Sequence, residues 1–193
     1  MAKHSHRDRI LESGLRVVHE RGFTGASVRD IVRAAGVPQG SFSNHFASKE
    51  AFGVEILNLY FEQTLEIIRK TLHNKELAPL ARIRAYVEDV DASLLKKDEL
   101  NGCLMGNLSL ESGEQSPMIQ RRLAELFTEV QKEIADCVRD AVKAKELPPS
   151  TNAKDLATFI HASLEGALLQ SRAEQSRVAM DRYKRILYST ILI

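Results

Sequence analysis

Gln39, Ser41, Ser43, Asn44 and His45 are the side chains of this 193-residue chain best suited to reading a duplex. Gln and Asn carry a paired donor and acceptor that matches the adenine edge, and Ser and His can bond bases or phosphates. Gly40, set among them, leaves room for the backbone to approach a groove. Ser27, Arg29 and Lys49 flank the group as candidate phosphate partners, alongside the amides of helix N-termini. The competing reading makes Gln39 to His45 no more than a solvated helix face. A different chemistry is available at Cys103, which follows a break at Asn101-Gly102. A thiol at a helix start lies near amides that favour a thiolate, whereas an ordinary lone cysteine is a small buried hydrophobe. Both readings of Cys103 stay open, while Cys137 falls on an apolar stripe and reads as core. His161 and Glu165 lie four apart, but an HxxxE pair without further ligands does not make a metal site. No phosphate-binding glycine loop, zinc-type spacing or base-paired nucleophile marks an enzyme, and no cofactor is expected.

Helices must position these groups, because strand signals are scarce. The pattern predicts an all-α chain of about nine helices. The first spans about His6 to Arg21, with Ile10, Leu11, Gly14, Leu15, Val17 and Val18 inward and Gly22 ending it. Ser27 and Asp30 are spaced as a capping box for a helix over about Val28 to Ala34 that buries Val28, Ile31 and Val32. Gly36 supplies a tight turn, and Pro38 suits the first position of a short helix from Gln39 to His45 anchored by Phe42 and Phe46. Two short helices hinged on glycine form a helix-turn-helix, whose second helix enters the major groove. Ser48 caps a fourth helix to about His73. Further helices are expected from Pro79 to about Lys97, Cys103 to Glu111, Pro117 to about Lys145, Asn152 to Arg172, and Ser176 to Ile191. The predicted division is a DNA-binding head over residues 1–48 and a sensing and dimerising part over 49–193.

Composition agrees with a globular regulator. Hydrophobic residues make up 44% of the chain, enough for a core, and charged residues 27%. The net charge is only +1, but residues 1–50 hold eight Lys and Arg against five acids, which leaves the remainder at −2. Positive charge gathered at one end suits phosphate contact. No apolar run approaches the roughly 18 residues of a membrane span, and the N-terminus lacks a secretory segment. Two cysteines form no disulfide framework, so a reducing cytoplasm is the expected location.

The stretch from Arg9 to Phe52, with RGF, SVRDIVRAAGVPQGSFSNHF and SKEAF, resembles the N-terminal domain of TetR-family transcriptional regulators. That resemblance implies an all-helical homodimer that binds palindromic double-stranded operator DNA and is released by a small effector. Where family members usually carry a phosphate-touching tyrosine, this chain has Ser43, so the contact would pass to Asn44 or His45. NGCLMGNLSLE is similar to the cysteine-bearing region of an N-ethylmaleimide-responsive branch, which would make Cys103 an electrophile- or oxidant-sensing thiol. That branch carries a lysine able to link to the oxidised cysteine; the matching position here is Arg172, which can steady a thiolate but is a poor nucleophile. A reversible apolar effector is the alternative, held by aromatics such as Tyr60, Phe61, Tyr86, Phe127 and Phe159 with Asn107 or His161 as a polar anchor. Leu164, Leu168, Met180, Tyr183 and Leu187 on the last two helices offer a surface for a four-helix dimer interface. The competing class is a helical protein-interaction or small-molecule-binding module without DNA binding.

Overall fold

Ser5 seals the first helix. Its hydroxyl accepts from the Asp8 amide while the Asp8 carboxylate accepts the Ser5 N–H, a reciprocal cap on α1, His6–Arg21. Gly22 ends α1 at φ +78°, a conformation an L side chain resists. The same device starts α2, Val28–Ala35, where Ser27 and Asp30 cap each other. Gly36 closes α2 in the left-handed region, φ +61°, and the Val37 amide reaches back 3.1 Å to the Val32 carbonyl. Of the inward positions read from the sequence, Leu15 and Val28 are only half-buried. In this computed structural model residues 5–95, 101–112 and 116–192 are described; the expected end of the fifth helix near Lys97 lies outside them.

The third helix is shorter than its sequence pattern. It spans Ser41–His45 as α3, not Gln39 to His45. Pro38 and Gln39 instead enter a tighter turn, in which their carbonyls accept the Ser41 amide at 2.9 Å and the Phe42 amide at 3.3 Å. Such i→i+3 bonds are the usual way a short helix begins. The longer elements follow as α4 (Lys49–Lys70), α5 (Pro79–Leu95), α6 (Leu104–Ser112), α7 (Pro117–Lys143), α8 (Ala153–Glu174) and α9 (Val178–Ile186). A π-helical stretch, Leu187–Ile191, continues α9, and no strand occurs among the described residues. α4 stops three residues short of His73, where the Thr71 amide is shared between the Ile67 and Ile68 carbonyls and the His73 amide reaches back 3.2 Å to Ile68. None of the described helices is long and apolar enough to cross a membrane.

The chain divides into two compact bodies: Met1–Glu62 with Leu104–Glu125, and Gln63–Cys103 with Leu126–Ile193. The first is built on Phe42, Phe46 and Phe52, whose ring centroids lie 5.1–5.2 Å apart, beneath Ile10 and Ile31. Burying each such ring stabilises by about 1.5–3 kcal/mol. Gly14 is required here, since a Cβ on it would lie 2.3 Å from Phe52 Cζ. In the second body Ile83, Val87, Val130, Ile134, Val138, Ile160 and Leu164 are fully buried or nearly so. Asp91 of α5, itself buried, ties α9 in place by accepting from Arg177 and Lys184, each at 2.8 Å. Arg84 bonds the Tyr188 and Leu192 carbonyls and so anchors the C-terminal turn.

Candidate nucleic-acid interface and cysteine cluster

The head turns one polar edge outward. Gln39, Gly40, Ser43, Asn44 and His45 are all exposed, and Arg29 is exposed on α2. Gly40 has ordinary helical angles, φ −64° and ψ −16°, and a Cβ there would meet nothing within 4 Å. Neither backbone strain nor internal crowding calls for glycine at 40. The Ser43 hydroxyl donates to the Gly40 carbonyl at 3.1 Å, so its short side chain is folded back along the helix.

Three further expected DNA contacts have internal partners. Ser41 is buried rather than displayed, with its hydroxyl 3.5 Å from His6 Nδ1, because it precedes Phe42 on the inward side of α3. The Ser27 hydroxyl is bonded to Asp30 at 2.5 Å, and that bond is the main cause holding the Asp30 carboxyl below its usual range. The Lys49 ammonium donates to the Phe23 carbonyl at 2.6 Å and lies 4.7 Å from the Phe23 ring centroid. Its burial there disfavours the charged form and lowers its pKa, against the pull of Glu50 and Glu111. Lys49 is therefore a strut of the head first. Sequence reasoning missed Glu111, at the far end of α6. Its carboxylate accepts the Thr24 amide at 3.0 Å and fills the space where a Cβ on Gly22 would sit.

The second body holds a different constellation. Gly102, at φ +70°, turns the chain so that Cys103 lies buried with its thiol hydrogen-bonded to the Glu165 carboxylate of α8. His161, one turn earlier on α8, is buried with Nε2 3.9 Å from Glu165 Oε1, too far for a hydrogen bond. Burial pushes Glu165 up to about 7 and His161 down to about 4, so both groups resist ionising. The Phe127 ring lies 5.5 Å from that of His161. Tyr86 from α5 also faces Cys103 and Glu165, and burial raises its phenol pKa. Among the described residues no group of three His, Cys, Asp or Glu is placed to hold a metal ion. The sequence marked His161 and Glu165 as a pair, but nothing local reveals that Cys103 joins them.

The thiol's partner is thus a carboxylate, not the guanidinium expected at Arg172. Arg172 is half-buried two turns further along α8, about 10 Å down the axis. Tyr60 and Asn107 belong to the first body, where Tyr60 packs edge-on to His19 at 5.9 Å and Asn107 is buried. Phe159 lies outside any core at 52% exposure. Cys137 is buried as expected; burial drives its thiol up to about 11 as it donates to the Pro79 carbonyl at 3.2 Å.

The residues expected at a dimer surface need correcting. Leu164, Leu168, Met180 and Leu187 are buried in their own protomer, and Tyr183 is half-buried with its hydroxyl bonded to the Ile160 carbonyl at 3.0 Å. The outward stripe of α8 is instead Phe159, Ala162, Gly166, Leu169 and Ala173, all exposed. Their alternating spacing of three and four is that of a helix-packing seam. Val178 and Ile186 extend the exposed apolar surface onto α9.

Comparison with known proteins agrees with this anatomy. Residues 10–56 match the family model described as bacterial regulatory proteins, tetR family, and residues 79–187 the one described as tetracyclin repressor-like, C-terminal domain. The HTH-type transcriptional repressor DhaR of Mycobacterium sp. (strain GP1) is 32% identical over 192 residues, covering 100% of this chain and 95% of that protein. The HTH-type transcriptional repressor NemR of Escherichia coli (strain K12) is 33% identical over 109 residues, 56% of this chain and 55% of that protein. Among solved structures, regulatory protein TetR from Rhodobacter sphaeroides superposes with a TM-score of 0.87 at 26% identity, over 93% of this chain and 95% of that one. The reduced form of E. coli NemR gives 0.85 at 26% identity over 94% of each chain. With an all-helical fold, a capped helix-turn-helix at the amino end and matches over both parts, the chain belongs to the TetR family of DNA-binding transcriptional regulators.

Proposed function

We propose that the protein is a homodimeric repressor that holds a palindromic operator and lets go when an effector engages the second body. The observation that carries this reading is the exposed edge of Gln39, Gly40, Ser43, Asn44 and His45, with Arg29 nearby to meet phosphate. Residues 1–48 serve as the reading head and residues 49–193 as the sensing and dimerising part. Two heads about 34 Å apart would enter successive major grooves. The seam of Phe159, Ala162, Gly166, Leu169 and Ala173 supplies the dimer contact, since Gly166 leaves space for a close helix and Leu169 is 45% exposed. A second copy would cover these apolar groups symmetrically.

Release is read through α6. This helix starts at Leu104, the residue after Cys103, and its Glu111 bonds the turn that joins α1 to α2. A group added to Cys103 must displace its neighbours, because the site is already packed. Movement of α6 then withdraws Glu111 from Thr24 and loosens the head, shifting the protomer towards a state that fits DNA less well. The effector is a small apolar or electrophilic molecule. The test uses an inverted-repeat fragment from beside the protein's own gene: Cys103→Ser is expected to bind it normally yet stay bound when a maleimide is added. Normal release from that variant would leave reversible binding beside His161 and Phe127 as the mode of induction.

A further inference from the structure

Arg9, near the start of α1, is a cation that the interface described above leaves out. It is exposed, its Nη2 donates to the Gly36 carbonyl at 3.1 Å, and the same nitrogen lies 2.9 Å from where a Cβ on Gly36 would sit. The guanidinium therefore lies over the turn between α2 and α3, close in the chain to Gln39. His6 has its Nδ1 3.5 Å from the Ser41 hydroxyl, so the first turn of α1 borders the start of α3.

The charge of Arg9 is also uncompensated. Most of the other described Lys and Arg side chains in the head have a nearby acid or an internal acceptor. Arg7 pairs with Glu55, Arg21 and Arg33 share Asp30, and Lys49 donates to Phe23. Arg16 is flanked on its own helix by Glu12 and Glu20, each four residues away. No carboxylate among the described residues pairs with Arg9 or with Arg29. A carbonyl takes one N–H of a planar guanidinium and leaves the others, with the whole charge, for a second acceptor. Arg29 lies in the first turn of α2 and Gly36 just past its end, so the two cations are held about 10 Å apart along the helix axis. That separation is close to the width of a major groove, about 12 Å.

We propose that Arg9 is a phosphate-binding residue, and that Arg9 and Arg29 grip the sugar–phosphate strands on the two sides of the major groove that α3 enters. This rests on the reading of the head as a DNA reader and adds a contact to it. One side chain then does two things: it steadies the turn that leads into Gln39, and it ties that turn to the duplex. The bond to Gly36 holds the guanidinium in place before DNA arrives, so less side-chain freedom is lost on binding. A phosphate contact carries no sequence information, so its loss falls equally on the operator and on any other duplex.

The test titrates the full chain and its Arg9→Gln and Arg9→Lys variants, between 50 and 200 mM salt, into an inverted-repeat fragment from beside the protein's own gene and into a random duplex of equal length. Fluorescence anisotropy reads the affinity, and circular dichroism melts check the fold. Each neutralised phosphate contributes about 0.9 to the slope of log affinity against log salt. With one Arg9 in each of two heads, Arg9→Gln is expected to reduce that slope by about 2 and to weaken both duplexes by a similar factor, about tenfold or more. Arg9→Lys keeps the charge and is expected to restore the slope. A slope in Arg9→Gln equal to the parent's would overturn the proposal. So would a loss confined to the operator at unchanged slope, which marks a residue that only aims α3. A second measurement leaves Arg9 in place: neutral methylphosphonates are substituted one at a time along the half-site. The parent is expected to lose affinity at phosphates on both sides of the groove, and sensitivity on one side alone would overturn the proposal even if Arg9→Gln does not fold. A parent that binds neither duplex refutes the DNA-binding reading and this contact with it, whereas a parent that binds with a slope unmoved by Arg9→Gln refutes the contact alone.

Discussion

Buried His161 and half-buried Glu165 predict two single variants whose stabilities move in opposite directions with pH. His161 is depressed by burial from 6.5 to about 4, so its contribution is present above pH 6.5 and lost as pH falls towards 4. Glu165 is raised by burial from 4.5 to about 7, so its contribution is complete below pH 4.5 and lost as pH rises through 7. Acidification from pH 7 to 5 thus destabilises through His161 and stabilises through Glu165. At 1.36 kcal/mol per pH unit of displaced titration, each effect amounts to about 2 kcal/mol over that interval. In the unaltered protein the two offset. Glu165→Gln leaves only the histidine, and on going from pH 7 to 5 it is expected to lose about 2 kcal/mol relative to the parent's change. His161→Asn leaves only the carboxylate and is expected to gain about as much. Urea unfolding at both pH values, at one fixed protomer concentration because dimerisation contributes to stability, measures the difference directly. Carboxylates elsewhere, such as Asp30, are common to all three proteins and cancel. Identical pH dependence in the parent and both variants would refute the opposite burial-driven shifts assigned to this pair.

Further variants probe the head and the seam. Gly40→Ala is expected to leave the melting temperature unchanged or higher, since its Cβ meets nothing, while weakening operator binding by about 1–3 kcal/mol in a fluorescence anisotropy titration. Gly14→Ala is expected to do the reverse: its Cβ collides with Phe52, costing about 1–3 kcal/mol in thermal unfolding. Gln39→Ala is expected to lower affinity for the operator by about 1–3 kcal/mol and to relax preference at one base position, with little change on random DNA. Leu169→Asp places a charge on the exposed seam of α8, and sedimentation is expected to show monomers that fold normally, because Leu169 takes no part in the protomer core.

Local chemistry made much of the head legible. Ser27 with Asp30, Gly22 and Gly36 each state their role within four residues, and the structure places caps and left-handed turns at these positions. The start of α3 was less legible, because Pro38 and Gln39 are compatible with either an α-helical or a tighter first turn, and the structure has the tighter one. On α8 the sequence carries two apolar stripes, one through Ile160, Leu164 and Leu168 and the other through Phe159, Ala162, Gly166 and Leu169. Periodicity alone cannot assign one to the core and the other to solvent; the bulkier branched side chains won the interior. Glu111 and Glu165 look like ordinary helix-surface acids. Their partners, Thr24 and Cys103, are remote in the chain, and only the tertiary fold brings each pair together.

Paired recognition helices of two protomers are expected to grip one inverted repeat through exposed polar side chains and phosphate contacts. Titrating the purified protein into fragments from beside its own gene, between 50 and 200 mM salt and with stoichiometry read by sedimentation, tests it most directly. Two protomers, or a multiple of two, are expected on an inverted-repeat site, with affinity falling by orders of magnitude over that salt range. A monomer that binds every duplex equally, or none at all, would contradict it.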